Sequence, residues 1–179
     1  MTAQGSAPGD LALIERFVNT AELDTGRDEI AEARGLAHWV REEGLGRASF
    51  STADAARVVA FREALRALLL SHHGEAPDRD ALALLGSESA RAPLAIAFEP
   101  DGATRLEPAG GGVEAVLGRL LAVIARADAE GTWGRLKACP ADDCRWAFYD
   151  HSRNRSRSWC SMAGCGNRAK ARSYRARLS

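Results

Sequence analysis

This 179-residue chain has no cysteine before Cys139. Disulfide bridges are therefore excluded in the preceding part, which must be held together by its own core. No run of 18 apolar residues occurs in the sequence, which excludes a membrane-spanning helix of ordinary length and a membrane partner that depends on one. The first ten residues lack the apolar stretch of an export signal, so we expect a cytoplasmic protein whose thiols stay reduced.

Lysine is also scarce, since Lys137 and Lys170 are the only two among 24 basic residues. Together with abundant alanine and glycine, this composition points to a GC-rich bacterial genome. The charge is unevenly distributed: residues 137–179 hold 10 basic and 3 acidic residues, a net charge of +7, and residues 1–136 carry −7. Such asymmetry indicates two parts with different tasks, one of which faces a polyanion. The alternative is a solvated basic tail that pairs with the acidic part of the same chain.

All four cysteines lie near the C-terminus, with the spacing C-x4-C-x15-C-x4-C. Two short-spaced thiol pairs around an insert of hairpin length are typical of a four-thiolate zinc site. The predicted ligands are Cys139, Cys144, Cys160 and Cys165. Four thiolates fill a tetrahedron, so we expect one structural zinc ion per chain and no open position for catalysis. An iron–sulfur cluster is the alternative that the same thiols allow.

Hydrophobic periodicity predicts a mainly helical N-terminal domain over residues 1–131. Helical spacing of apolar residues is found in the stretches 10–18, 30–43, 52–73, 77–85 and 113–129. Between the last two, apolar residues alternate around the turn sequence Pro100-Asp101-Gly102, which predicts a β-hairpin. No nucleophile and base are spaced in a way that supports catalysis, so we expect neither an enzyme nor a cofactor other than zinc.

The cysteine-rich part, residues 132–179, is too short to fold without a metal. We predict two strands, 145–150 and 152–159, followed by a helix over 167–178, an arrangement similar to a treble clef. The predicted fold class is therefore α+β, a mainly helical domain with one β-hairpin followed by a small four-cysteine finger. On the second strand, Arg153, Arg155 and Arg157 would project from one face and contact phosphates. On the helix, Arg168, Arg172 and Arg175 form one basic stripe beside Lys170.

The residues of this C-terminal segment resemble a known family. Residues 165–168 read CGNR, with Arg135-Leu136-Lys137 before the first cysteine and Phe148-Tyr149-Asp150 after the second. The segment is similar to the CGNR zinc finger of bacterial stress-induced transcription regulators. Phe17-Val18-Asn19-Thr20 and Leu36-Ala37-His38-Trp39-Val40 resemble the signatures of the helical ABATE domain that precedes the finger in that family.

The resemblance implies a DNA-binding transcription regulator linked to stress. In that interpretation the arginine row and the helix stripe neutralise phosphates. Asn167 and Arg168 are the candidates for contacts to base edges, since these side-chain types pair with adenine and guanine. Asn167 could equally cap the helix. The N-terminal domain would sense a small molecule, dimerise or bind a protein partner. The alternatives are an RNA-binding or single-strand-binding protein that uses the same surface, and a zinc-stabilised module for protein interaction.

Overall fold

The computed structural model of the chain describes residues 5–177. Within this range five helices build the N-terminal part, as the hydrophobic periodicity predicts. They are α1 (Leu11–Val18), α2 (Ala33–Glu42), α3 (Thr52–Ser71), α4 (Arg79–Arg91) and α5 (Gly112–Ala129). The longest of them, α3, begins at a capping box in which Ser51 Oγ accepts from the Asp54 N–H at 3.1 Å. The Asp54 carboxylate in turn accepts from the Ser51 N–H at 2.8 Å, so both backbone donors are satisfied.

The core of the N-terminal part forms around α3, which contacts each of the other four helices. Phe17 of α1 and Phe61 of α3 are fully buried, and their ring centroids lie 6.3 Å apart. Trp39 of α2 packs against Phe17 with its ring centroid at 5.3 Å. Burial of an aromatic side chain of this kind stabilises a fold by about 1.5–3 kcal/mol. These contacts therefore fix α1 and α2 against the central helix.

Two small hairpins accompany these helices. The predicted hairpin is confirmed: β3 (Leu94–Phe98) pairs antiparallel with β4 (Thr104–Pro108). It packs on α5 at Gly118, where an added Cβ would lie 3.2 Å from the Cβ of Pro108. A second hairpin, β1 (Ala21–Glu22) with β2 (Arg27–Asp28), lies between α1 and α2, in a stretch that carries no strand signal.

The C-terminal segment pairs its strands differently from the prediction. A 3-10 turn (Trp133–Arg135) leads into β5 (Leu136–Ala138), which pairs with β6 (Ala147–Tyr149). The first cysteine knuckle is therefore the loop of this hairpin. The strand predicted over 152–159 is wrong, because that segment is irregular. A π-helical turn (Met162–Gly166) then leads into α6 (Asn167–Ala176), which confirms the predicted helix as far as it is described; Leu178 lies outside the described residues.

The hairpin β5–β6 shares the core of the N-terminal part. Leu136, Ala138 and Ala147 are fully buried in the same apolar cluster as Phe61, and β5 packs directly on α3. The expected domain boundary at residue 131 stays a prediction, because residues on both sides of it belong to the same apolar core. The architecture is α+β, as predicted, with a mainly helical part followed by the four-cysteine segment. No helix within residues 5–177 is long and apolar enough to span a membrane.

Candidate metal centre and nucleic-acid interface

The first pair of cysteines is fixed to the core by the hairpin β5–β6. Cys139 follows β5 directly, and Cys144 lies shortly before β6. The Cys139 N–H donates to Trp146 O at 2.9 Å, and the Cys144 N–H donates to Ala141 O at 3.0 Å. All three residues of each strand are buried. The hairpin therefore holds this half of the site in place through the N-terminal core.

The second pair lies on a segment with far less support. Cys160 ends the irregular segment, and Cys165 lies in the π-helical turn before α6. Ser161 Oγ accepts from the Gly164 N–H at 3.1 Å and caps that turn. Helix α6 itself contains no buried residue. Its position therefore depends on the four-cysteine site and its small apolar surroundings rather than on the main core.

The four sulfur atoms form one compact cluster in which all Sγ atoms lie within 4.8 Å of one another. Cys144 Sγ lies 3.6 Å from Cys160 Sγ, and Cys160 Sγ lies 3.7 Å from Cys165 Sγ. Zinc–sulfur bonds of about 2.3 Å in a tetrahedron place neighbouring sulfurs roughly 3.8 Å apart. None of the four forms a disulfide. The donor set and its spacing therefore fit one tetrahedral metal ion of the kind that zinc forms with thiolates.

The thiols constrain one another electrostatically. Hydrogen bonds from Cys144 and then from Cys160 lower the pKa of Cys139 far below its ordinary value. The same bond to Cys139 raises the pKa of Cys144 to about 12, and bonds with Cys139 and Cys144 raise the pKa of Cys160. Four thiolates this close repel one another. Without a cation the site therefore favours a single thiolate, at Cys139, which accepts hydrogen bonds from the neighbouring thiols. A divalent cation would stabilise all four in the ionised form.

A small apolar cluster surrounds the sulfurs. Phe148 and Ala141 are buried against Cys139 and Cys165, and Trp159 packs at the edge. Gly166 packs closely there: a Cβ at that position would lie 2.8 Å from Met162 Sδ and 3.4 Å from Trp159, so a larger residue would displace the Met162 side chain. The glycine of the CGNR sequence thus lets Met162 lie directly against the turn before α6.

The segment predicted as the second strand is organised by a buried ion pair. Lys137 Nζ donates to Asp150 Oδ2 at 2.8 Å, and the two side chains are 5% and 0% exposed. Asp150 also accepts from the Ser152 N–H at 2.9 Å, the Ser152 hydroxyl at 2.6 Å and the Arg157 N–H at 2.9 Å. Burial raises the pKa of Asp150, but the hydrogen bonds from Lys137 and Ser152 outweigh it and lower the pKa to about 2. The chain turns around this carboxylate, so it cannot run as an extended strand.

The predicted row of three arginines on one strand face is therefore wrong. Arg157 is directed inward: its Nε donates to Trp159 O at 2.9 Å, its Nη2 donates to Cys160 O, and its guanidinium lies 4.8 Å from the ring centroid of Phe148. Arg155 adopts a left-handed backbone with φ of 53°. Its side chain and that of Arg153 are exposed. Of the three, only Arg153 and Arg155 extend into solvent.

The predicted residues of the helix lie on α6 or at its start, and most of them are well exposed. They are Asn167, Arg168, Lys170, Arg172 and Arg175. Arg168 also serves the metal centre, because its Nη2 lies 3.2 Å from Cys165 Sγ and 3.5 Å from Asp143 Oδ2. Asn167 Nδ2 donates to Ala163 O at 3.4 Å, so its amide is oriented by the turn before the helix. Arg175 Nε donates to Ala171 O at 3.3 Å.

Sequence reasoning missed the contacts that attach the finger to the helical part. Asn19 bonds both backbone groups of Ala147, and Arg66 Nη1 donates to the carbonyl of Arg145 at 3.0 Å. Arg66 is buried and also donates to Val18 O at 2.7 Å. No sequence signal indicates partners so far apart along the chain. Asn19 nevertheless belongs to the Phe17–Thr20 signature, where it follows two buried apolar residues, and a polar side chain next to buried residues is a hint of such a role.

Two histidines at the end of α3 complete this attachment. His72 Nδ1 lies 2.7 Å from Leu136 O and His73 Nε2 lies 2.8 Å from Ala138 O. A carbonyl only accepts, so each of these ring nitrogens carries a proton. Burial lowers the pKa of His72. His72 therefore binds β5 in its neutral form at pH 7.

Two family models match the chain, one over the helical part and one over the four-cysteine segment. Residues 135–178 match the CGNR zinc finger. Residues 11–131, more than half of the chain, match the ABATE family, which is described as "Putative stress-induced transcription regulator". The chain belongs to the ABATE family. No curated protein matches it significantly. The resemblance found in the sequence is thus confirmed for both parts, and the four clustered thiols are those of a CGNR zinc finger.

In this ABATE protein the two matched regions are close neighbours in the fold. The ABATE match ends at residue 131 and the finger match begins at 135, just before β5. The first half of the finger, β5–β6 with Cys139 and Cys144, packs on the ABATE helices. The second half, with Cys160, Cys165 and α6, carries the exposed basic residues.

Proposed function

We propose that this ABATE protein is a cytoplasmic, DNA-binding transcription regulator that responds to stress and contacts DNA through the second half of its finger. The observation that carries this proposal is helix α6, which contains no buried residue and four basic residues without an acidic one. A helix of ten residues that buries none of its side chains is marginal in water. A partner that neutralises its charge would stabilise it. A phosphate backbone is such a partner.

The charge distribution indicates that the basic residues of the finger bind an external polyanion rather than the acidic part of the same chain. Within residues 5–177, Lys170 and Arg172 form no ion pair, and Arg168 pairs with Asp143 inside the finger itself. Arg153 and Arg155 likewise form no ion pair there. The four side chains without an ion pair remain available to phosphates. A basic tail that folded back on its own acidic domain would instead use them in ion pairs.

The metal has a structural role in this proposal. Four thiolates complete the tetrahedron of a zinc ion and leave no position for water, so we expect a binding protein rather than an enzyme. Cys139, Cys144, Cys160 and Cys165 would hold the ion, with one ion per chain. An ion held by these four residues would link the anchored hairpin to the basic helix.

A salt titration tests the proposal. The full chain loaded with zinc is titrated with random-sequence duplex DNA, single-stranded DNA and structured RNA of equal length at several salt concentrations. We expect the tightest binding to the duplex DNA, with log K falling linearly against log salt by about 0.9 for each phosphate contact. Preference for single strands or RNA would favour the alternative function, since Tyr174 on α6 is 62% exposed and could stack on a base. Absence of salt-dependent binding to any of the three would leave the protein-interaction module.

For the ABATE domain we propose that it senses a small molecule, and we prefer this role to dimerisation or to binding of a protein partner. A cleft of about 450 Å³ lies between α1, α2 and the finger. Asn19, Trp39 and Trp146 line it, so it borders the contact between Asn19 and the finger. A ligand held there would act directly on the position of the finger. Quenching of Trp146 fluorescence by a metabolite mixture, lost in a Trp146→Phe variant, is the corresponding test.

A further inference from the structure

The residues that follow Asp150 form a tight, exposed turn. The Arg155 N–H donates to Ser152 O at 3.2 Å, which closes a β-turn with Arg153 and Asn154 at its two central positions. The Ser156 N–H donates to Ser152 Oγ at 3.0 Å and continues the closure. The two central side chains are exposed. The turn therefore presents a guanidinium and an amide side by side at its tip.

The buried ion pair of Lys137 and Asp150 holds the backbone of this turn. Lys137 Nζ donates not only to Asp150 but also to Arg155 O at 2.7 Å and to Arg157 O at 3.2 Å. Burial of an ion pair carries a desolvation cost, and apolar residues of similar volume often replace such pairs without loss of stability. A buried ion pair is therefore not needed simply to close a turn. Its effect is to fix the backbone on both sides of the tip.

The side chains at the tip have no partner within the described part of the chain. Neither Arg153 nor Asn154 donates or accepts a side-chain hydrogen bond within residues 5–177, and the Arg155 guanidinium makes none there either. Asparagine at a turn often bonds its own backbone, and Asn154 does not. Three adjacent polar side chains on a fixed backbone are suited to an external polar partner.

Of the residues expected to contact bases, Arg168 is by contrast engaged in the finger, and Asn167 makes one long hydrogen bond there. Arg168 contacts Cys165 Sγ and Asp143, and Asn167 donates to Ala163 O. A side chain that leaves Cys165 to reach a base would give up a charge-assisted interaction with a metal-binding thiolate. The start of α6 is therefore better suited to support of the metal centre than to recognition of sequence.

We propose that the turn formed by residues 152–155 enters a groove of duplex DNA and that Asn154 at its tip contacts a base edge. The proposal rests on the DNA-binding function proposed above and names the element that reads sequence. The asparagine amide matches the N6 and N7 edge of adenine in the major groove, which at about 12 Å wide admits a turn of two residues. Arg153 and Arg155, on either side, are placed to hold the phosphates that border the groove.

The experiment compares two matched variants, Asn154→Ala and Asn167→Ala, with the wild-type chain. Each zinc-loaded protein selects duplexes from a random-sequence DNA library, and its affinity is then measured for the enriched sequence and for random duplex. We expect Asn154→Ala to weaken binding to the wild-type sequence by about 5- to 150-fold, the value of one bidentate base contact. Its affinity for random duplex should stay within roughly threefold, since the phosphate contacts remain. Asn167→Ala should enrich the wild-type sequence unchanged.

Zinc content and melting temperature, measured on the same proteins, separate recognition from folding. Asn154 is exposed and makes no side-chain hydrogen bond within residues 5–177, so both should equal the wild-type values. Enrichment of an unchanged sequence by Asn154→Ala, or a loss of preference in Asn167→Ala alone, would overturn the proposal. A wild-type chain that binds duplex DNA but enriches no sequence would also overturn it and leave the proposed function intact. A wild-type chain that binds no nucleic acid would refute both.

Discussion

The side-chain amide of Asn19 bonds both backbone groups of Ala147 across the contact between the helical part and the finger. Its Oδ1 accepts from the Ala147 N–H at 2.8 Å, and its Nδ2 donates to the Ala147 carbonyl at 2.9 Å. Ala147 is the first residue of β6 and is fully buried. An amide used in this way continues the hydrogen-bonding pattern of a strand, so Asn19 acts as a partner for the free edge of the hairpin.

Replacement of Asn19 by alanine should destabilise the protein by roughly 1–3 kcal/mol, because two buried backbone groups lose their partner. Chemical denaturation measures the change. Asn154→Ala, which removes an exposed amide, is the control and should lie within about 0.5 kcal/mol of wild type. Zinc stoichiometry should be unchanged in both. Equal stability of the two variants would show that water replaces Asn19 at no cost.

The sequence predicts the N-terminal helices, the hairpin β3–β4 and the cysteine ligands, and local chemistry explains why. Helical periodicity, the turn Pro100-Asp101-Gly102 and the cysteine spacing each act over a short stretch of the chain. The prediction of a strand over 152–159 rests on its alternating arginines, which follow the pattern of a strand, and this prediction is wrong. Asp150 and Lys137 bend that segment instead. Their pairing becomes visible only once β5 and β6 lie side by side.

Two truncations test whether the finger's hairpin belongs to the core of the helical part. A chain ending at residue 150 keeps β5, β6 and the Lys137–Asp150 pair, whereas a chain ending at residue 131 loses them. The shorter chain exposes the surface that Leu136 and Tyr149 cover, and burial of each large side chain contributes about 1.5–3 kcal/mol. We expect it to be less stable by at least about 3 kcal/mol in reducing buffer. Equal melting temperatures would establish residues 1–131 as an independent unit.

Removal of the metal should affect the two halves of the finger unequally. Cys139 and Cys144 lie on a hairpin held by the core, whereas Cys160 and Cys165 lead into a helix with no buried residue. A chelator should therefore abolish amide protection in residues 160–176 and leave β5 protected. Hydrogen exchange with and without the chelator measures both. Loss of protection in β5 to the same degree would mean that zinc, and not the core, holds the hairpin.

Acid should destabilise the fold through the buried ring of His72. Burial lowers the pKa of His72 in the folded chain, and the nearby His73 and Lys137 add to this, while the hydrogen bond to Leu136 O and the charge of Asp128 oppose it. A histidine with a lowered pKa favours folding above its free value of about 6.5, and this contribution is lost as the pH falls through the folded value. Between pH 6.5 and 5.5 the loss is at most about 1.4 kcal/mol.

The variant His72→Asn separates this effect from protonation of the thiolates, which also destabilises the finger in acid. Asparagine can still donate to Leu136 O but does not titrate. The variant should be less stable at pH 7.5, because the ring also packs edge-on against Trp133 at 5.2 Å. Its unfolding free energy should fall less than that of wild type between pH 7.5 and 5.5. Parallel pH profiles would exclude His72 as the titrating group.

The three arginines of the segment after Asp150 should separate into two classes. Arg153 and Arg155 are exposed, and we propose that they bind phosphates. Replacement of both by alanine should weaken binding to every duplex alike and reduce the salt slope by about 0.9 for each phosphate that is no longer neutralised. Melting temperature should be unchanged, because within residues 5–177 neither guanidinium makes a hydrogen bond.

Arg157→Ala should show the opposite behaviour. Its guanidinium donates to the carbonyls of Trp159 and Cys160 and lies over Phe148, so its loss leaves two acceptors unpaired beside the metal centre. We expect a loss of about 1–3 kcal/mol in stability and faster release of zinc to a chelator. The salt slope, measured at a temperature where the variant is folded, should equal that of wild type. A reduced slope with normal zinc retention would instead place Arg157 on the phosphate backbone, as its position in the sequence suggests.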